Sequence, residues 1–226
     1  MNPGVIVLAR MDSSRFPNKA MALLGHKPLV EWCIDGVADP GRYRTVLATT
    51  GRDLDRPLVE LAARKGIPCY QGPVEDVAGR IAGCLEAHGL DCFARVNGDS
   101  PFVRKELLRE GFDLIRERGA DLVTNLVPRA FPYGVSVEIL RSEVFLACYE
   151  SLTTSLQREH ATSYFYEHLA AFKVCCMPYG GGDDHDVRLV VDTPADLERL
   201  GKLLRAGRDV AGLPLPELVR LYREVS

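Results

Sequence analysis

Two acidic residues in this 226-residue chain share the same punctuation. Asp99, in ARVNGDSPFV, and Asp192, in RLVVDTPADL, each close an apolar run and are followed by Ser or Thr and then Pro. Ser100 and Thr193 suit a helix N-cap, Pro101 and Pro194 suit the first helical turn, and Asp196 completes a capping box with Thr193. The capping role is therefore taken, and the two aspartates are left over. Singly, each reads as a turn residue. Together at the carboxyl edge of a sheet they suit a hard divalent cation such as Mg2+, which takes few carboxylates and completes its shell with water and phosphate oxygens. Asp99 and Asp192 are the candidate metal ligands.

Phosphate calls for cations, and ARMDSSRFPNK at 9–19 carries Arg10, Arg15 and Lys19 directly after the apolar run GVIVL. Pro17 restricts the path between them. A phosphate within about 4 Å of one such charge gains roughly 4 kcal/mol at an effective dielectric near 20, before desolvation is deducted. The bland alternative is a solvated basic loop. The segment is neither a Walker loop nor a G-x-G-x-x-G turn.

These residues need a scaffold with strand ends on one edge. GVIVLA, TVLATT at 45–50, IPCYQG at 67–72, DCFARV at 91–96 and ADLVTN at 120–125 read as strands. Between them run segments of helical period, with Leu58, Leu61 and Ala62 on one face and Leu107, Leu108, Phe112 and Ile115 on another. Strand alternating with helix predicts an α/β protein with a mostly parallel sheet, whose ligands sit beyond the carboxyl ends of the strands. After residue 126 the rhythm changes. FPYGVSVEIL reads as a strand pair or turn, 142–152 and 157–169 as helices, and AFKVCCMPY as a strand. DVRLVVD and a leucine-rich helix then resume the pattern. The chain is expected to be one domain over 1–226, with an acceptor-binding or dimerisation insertion at about 127–180.

Composition excludes several classes. A net charge of -3 and 46% hydrophobic residues describe ordinary globular material with no pull toward nucleic acid or an anionic membrane. The apolar start is too short for a signal peptide, and no run approaches the ~20 residues of a membrane span. Seven cysteines without a C-x-x-C read as reduced core thiols, and a cytoplasmic location is expected. The DDHD run at 183–186 follows three glycines and reads as a solvated turn rather than a metal cluster.

Seven segments in order resemble the cytidylyltransferases of the spore coat polysaccharide type, relatives of the 3-deoxy-manno-octulosonate and acylneuraminate cytidylyltransferases. They are ARMDSSRFPNKAMALLGHKPLVEW, VLATTGRD, YQGPVEDVAGR, RVNGDSPFV, PYGVSVEI, REHATSYF and RLVVDTPADL. Asn18 stands where the family usually carries Gly, and Ser100 where it usually carries Cys. The resemblance implies a Rossmann-like fold of the nucleotide-diphospho-sugar transferase type, with helices on both faces of a mixed sheet. It also implies transfer of CMP from CTP to a sugar acid or related anionic acceptor, with release of pyrophosphate, in glycan or surface polysaccharide biosynthesis. A homodimer is expected. Uridylyl or guanylyl transfer, a phosphonate or phosphate acceptor, and a non-catalytic nucleotide-binding module stay open as alternatives.

On this resemblance Arg10, Lys19, Asp99 and Asp192 are catalytic. Asp99 and Asp192 hold Mg2+, and Asp192 or a metal-bound hydroxide helps to deprotonate the acceptor. The nucleotide is expected along Leu8, Ala9, Arg10, Met11, Arg15 and Lys19, at Thr49, at Gly72, Asp76 and Arg80, and at Asn97, Gly98 and Asp99. Arg80 has a competing use, an i, i+4 salt bridge to Asp76, and Thr49 has one as a strand-end residue. The acceptor is expected at Asn125, Tyr133, Gly134, Glu138, Arg158 and His160. Of these, Arg158 is suited to a carboxylate; as an exposed helix arginine, or for His160 as an ordinary helix histidine, neither need touch substrate.

Overall fold

The computed structural model describes residues 1–206 and 209–225. Its first half is built from apolar runs that form parallel strands: β1 (Pro3–Leu8), β4 (Arg44–Thr50), β5 (Cys69–Gly72) and β6 (Cys92–Asn97). A short antiparallel ribbon of β2 (Leu23–Leu24) and β3 (Lys27–Pro28) follows the loop after β1. Helices α1 (Leu29–Val37), α2 (Arg56–Lys65), α3 (Val77–His88) and α4 (Lys105–Arg118) make the crossovers.

Strand residues alternate between the two faces of the sheet, so one strand feeds two cores. Val5 and Val7 pack with Val30, Ile34 and Leu58, whereas Ile6 and Leu8 pack with Ala78, Ile81 and Leu85. Burial on both faces explains why β1, β4 and most of β6 are near-continuous apolar runs, whereas β5, at the sheet edge, is only half-buried and carries Gln71. Cys33, Cys84 and Cys92 are fully buried here, and burial pushes the Cys84 and Cys92 thiols up to about 12. They are packing residues.

The second half completes the sheet and departs in part from the expectation. β7 (Leu122–Thr124), β8 (Glu138–Arg141) and β9 (Val174–Cys176) give the strand order β5-β4-β1-β6-β8-β7-β9, with β8 antiparallel to both neighbours. The stretch read as an insertion thus lends strands to the sheet itself. The helices expected over 142–152 and 157–169 are shorter: α5 (Ser142–Tyr149), α6 (Ser155–Glu159) and α7 (Ser163–Glu167). α6 stops because His160 leaves helical geometry at φ -94°, ψ 63°.

DVRLVVD is not a strand of the sheet. It runs extended beside Tyr133, sharing one bridge, Tyr133 to Arg188, and its apolar side chains Val187, Leu189 and Val191 enter a third core with Leu24, Trp32, Phe102 and Leu200. That core is closed by α8 (Pro194–Arg205) and α9 (Leu215–Val225). The expected capping box at the start of α8 is present, Thr193 with Asp196 and Pro194 in the first turn. Its counterpart at Ser100 is not: α4 begins at Lys105 behind Arg104, and the Ser100 hydroxyl turns back to Asp99. Val103 and Phe102 are drawn into the core between them, which delays the helix. No described helix is long and apolar enough to cross a membrane.

Candidate active site

The cationic loop is clamped at both ends. Asp55, fully buried, accepts the Met11 amide at 2.7 Å and also takes the Thr50 hydroxyl and the Arg52 guanidinium. Farther along, the Asn18 amide reaches back to the Met11 carbonyl at 2.8 Å. Asn18 makes that turn with φ 59°, a left-handed conformation that Asn tolerates better than other non-glycine residues. Lys19 follows in a short 3-10 turn, with its side chain directed at the strand ends.

There it meets both leftover aspartates. Lys19 Nζ lies 2.8 Å from Asp99 Oδ2 and 3.6 Å from Asp192 Oδ1. Arg15 Nη2 is 2.8 Å from the same Asp192 oxygen, and Arg188 Nη2 is 3.2 Å from the other. The main chain brings the carboxylates together. The Val191 amide donates to the Asp99 carbonyl at 2.9 Å, and the Asp192 amide donates to Asp196 at 3.1 Å. Two carboxylates turned on one point of positive charge form a donor set that fits a hard cation such as Mg2+.

Two clefts meet at this acidic edge. One, of about 320 Å³, is walled by Leu8, Ala9, Arg10, Arg15 and Lys19, floored by Asn97, Gly98 and Asp99, and closed by Arg80, Val77, Glu159 and His160. Gly98 sits where a Cβ would be 3.0 Å from the Leu8 carbonyl, so its missing side chain lets the ends of β1 and β6 close up. Arg80 is buried, and its guanidinium donates to the carbonyls of Pro73 and Val74 at 2.7 and 3.0 Å. No described carboxylate lies within 4.0 Å of it. Burial, and then the nearby charge of Arg10, draw its pKa down. An anion in the cleft would relieve both.

The second cleft, of about 490 Å³, shares Arg15, Asn97, Asp99 and His160 with the first and adds Arg129, Tyr133, Gly134, Ser136, Glu138, Tyr166 and Asp192. Arg95 lines both. Its Nη1 is 2.6 Å from the buried Glu138 carboxylate and its Nη2 is 3.2 Å from Asn97. The Tyr166 hydroxyl bonds Thr124 at 2.9 Å, and burial together with the Glu138 charge pushes its pKa up, so it stays protonated. Gly134 holds φ 98°, and a Cβ there would stand 2.6 Å from the Leu189 carbonyl.

Six expected residues do not line either cleft with their side chains. Met11 points into the core. Thr49 is buried with no partner for its hydroxyl. Gly72 makes room for Arg80, whose Cγ would be 2.8 Å from an added Cβ. Asp76 caps α3 by accepting the Gly79 amide at 2.6 Å, and pairs with Arg158 and Tyr149 instead of Arg80. Arg158 is thereby committed to joining α6 to α3. Asn125 is buried and staples backbone, donating to Val135 and accepting from Val137, each at 2.8 Å.

Arg95, Arg129, Ser136 and Tyr166 line the second cleft without being singled out by the sequence motifs. Arg95 carried a signal, a charge in the middle of the apolar run DCFARV. In the DDHD run Asp183 and Asp186 are exposed, but Asp184 is buried between the Tyr179 hydroxyl at 2.5 Å and Arg223 at 3.0 Å, where it anchors α9. No group of three or more metal-ligating side chains occurs among the described residues.

The sheet has the Rossmann-like fold of its structural neighbours, and the two clefts meeting at one acidic edge offer room for a nucleoside triphosphate beside an acceptor. Together with the match to a family model, this defines the class, a nucleotidyltransferase. The model of the cytidylyltransferase family matches residues 4–224, and the chain belongs to that family of CTP-dependent enzymes. The spore coat polysaccharide biosynthesis protein SpsF of Bacillus subtilis is 26% identical over 96% of this chain and 92% of its own length. An uncharacterized protein of Methanocaldococcus jannaschii is 26% identical over 85% of this chain and 79% of its own. Among solved structures, a cytidylyltransferase from Leptospira borgpetersenii superposes with a TM-score of 0.92 at 24% identity, covering 99% of this chain and 94% of that one. A CMP:2-keto-3-deoxy-manno-octonic acid synthetase complexed with CTP superposes at 0.66 and 16% identity, over 92% of this chain and 100% of that one.

Proposed function

We propose that this chain transfers CMP from CTP to an oxygen of a sugar acid or related anionic acceptor, releasing pyrophosphate, in the assembly of a surface polysaccharide or another glycan. One observation carries the reading: Asp99 and Asp192 converge on Lys19 where the two clefts meet. The B. subtilis relative's role in spore coat polysaccharide biosynthesis supports the glycan setting.

In this reading the triphosphate lies against Arg10, Lys19 and Arg80, and the acceptor lies between Arg95, Tyr133 and Glu138. The acceptor oxygen attacks the α-phosphorus in line, the bond to the pyrophosphate oxygen breaks, and the acceptor's proton passes to the Asp192 carboxylate. Charge accumulating on the phosphate oxygens is met by cations already held in place, which is where such electrostatic catalysis draws most of its rate. Asp99 and Asp192 would hold Mg2+, which when bound supplies further positive charge against the phosphates.

The test is pyrophosphate release from each of the four nucleoside triphosphates, with and without Mg2+, across a panel of sugar acids. Acceptor-dependent release from CTP is expected. Release from UTP or GTP but not CTP would overturn the base assignment, and absence of release with every pair would favour a binding role.

A further inference from the structure

We propose that Arg129 is the residue that reads the acceptor's anionic group, a carboxylate or a phosphate, against the ring of Tyr133. The inference rests on the second cleft being the acceptor's place.

The guanidinium of Arg129 is 5.1 Å from the centroid of the Tyr133 ring, and Arg188 lies 4.6 Å from the same centroid. The two cations differ in what they are free to do. Arg188 is engaged with Asp192 at 3.2 Å. Arg129 has no carboxylate within 4.0 Å among the described residues, and its Nη1 is shielded from solvent without any hydrogen-bond partner. A guanidinium partly withdrawn from water with nothing to donate to is costly unless an acceptor arrives. Its planar fork matches a carboxylate or phosphate bidentately, and the ring beneath it holds the fork's orientation.

Its distance from the reacting centre is set by the backbone. Tyr133 exchanges hydrogen bonds with the extended segment before Asp192: its amide donates to Val187 and its carbonyl accepts from Leu189, both at 2.7 Å. The Val191 amide then donates to Asp99. Platform and carboxylates therefore belong to one hydrogen-bonded ladder, and an anion held by Arg129 over the Tyr133 ring is registered through it against Asp99 and Asp192. Arg158, the arginine that sequence reasoning favours for this task, is spent on Asp76.

Binding rather than turnover tests this, so that its outcome is separate from the identity of the true acceptor and from catalysis. With the nucleotide cleft filled by CTP in calcium-containing buffer, calorimetry would follow gluconate and glycerol phosphate, with glucitol and glycerol as neutral counterparts. The wild type is expected to bind at least one anion and neither neutral compound. Preference between the two anions distinguishes a carboxylate from a phosphate source. R129M should weaken that anion by about tenfold or more, the loss of a charge-assisted hydrogen bond, with CTP affinity and melting temperature unchanged. R129K should recover part of the loss, since charge remains and the fork does not. Y133L, which removes the platform and keeps the guanidinium, should weaken the anion less than R129M. Anion binding by R129M within twofold of the wild type, or no anion binding by the wild type, overturns the proposal. If CTP itself does not bind, the nucleotide reading fails, while the comparison of R129M with the wild type still reads the anion site.

Discussion

The Val191 amide donates to the Asp99 carbonyl across 2.9 Å, and this main-chain bond makes neighbours of two carboxylates that lie on separate elements. Asp99 follows β6, a parallel strand in the middle of the sheet. Asp192 follows a segment that pairs with no strand of the sheet and is held by Tyr133 on one side and the core of α8 and α9 on the other. The acidic edge is thus a seam between the end of β6 and the segment leading into α8, and its geometry depends on how firmly that seam is closed.

Removing the second carboxylate's charge should be felt in turnover more than in binding. Asp192→Asn keeps the shape and the backbone bonds but takes away the negative partner of Lys19, Arg15 and Arg188. Pyrophosphate release is expected to fall by about 10²- to 10³-fold, the usual loss for one member of a preorganised electrostatic site. CTP affinity, read separately by equilibrium binding, should change by less than about threefold.

Lys19 and a divalent cation compete for the same two carboxylates. In the wild type without nucleotide, Mg2+ should therefore raise the melting temperature little. In Lys19→Met the carboxylates face each other without the ammonium, and Mg2+ or Mn2+ alone should stabilise the protein by several degrees, as any ligand specific to the native state does. The same variant should lose most of its turnover, because the ammonium no longer meets the phosphates. Equal metal-induced shifts in both proteins would show that Asp99 and Asp192 do not share a cation.

Much of this frame was legible in the residues. The parallel strands could be read because burial on both faces leaves continuous apolar runs, and the α8 start because Thr193, Pro194 and Asp196 each have a distinct job there. The twin punctuation at Asp99 and Asp192 pointed to both carboxylates, although only one copy is a true cap. What escaped was long-range. DVRLVVD has a strand's composition, yet its partners are a loop and a helical core, and composition cannot tell those from a sheet. Arg158 and Arg129 look alike in sequence, and only the tertiary position of Asp76 decides which one is free. Gly72 reads as space for a ligand, whereas the space is filled by Arg80.

Gly134 offers a test of the frame that touches no charge. Its φ of 98° disfavours any L side chain, and an added Cβ would meet the Leu189 carbonyl at 2.6 Å, a backbone atom with nowhere to go. Gly134→Ala should cost about 1–3 kcal/mol in denaturant unfolding and raise the KM for the acceptor while leaving that for CTP nearly unchanged. Gly41→Ala is the control. Nothing lies within 4 Å of a Cβ there, and its unfolding midpoint should stay within the error of the measurement.

Acid sensitivity should trace in part to Asp196. Burial works against its carboxylate, but hydrogen bonds from the Thr193 hydroxyl and from the amides of Asp192 and Thr193 outweigh it, and the net effect places its pKa below the usual 3.8. A carboxyl whose pKa is lower in the folded state stabilises that state above the unfolded pKa of about 3.9 and loses the contribution as pH falls through the folded value. Asp196→Ala should therefore cost about 1 kcal/mol near neutrality, the worth of a cap, and its deficit relative to the wild type should shrink below about pH 4. Because Asp196 also holds the Asp192 amide at 3.1 Å, the same variant should lose about tenfold in turnover at neutral pH through a loosened carboxylate. Unfolding midpoints measured from pH 3 to pH 8, alongside pyrophosphate release at pH 7, separate the two effects: a stability loss with full activity would mean that the cap holds α8 but does not position Asp192.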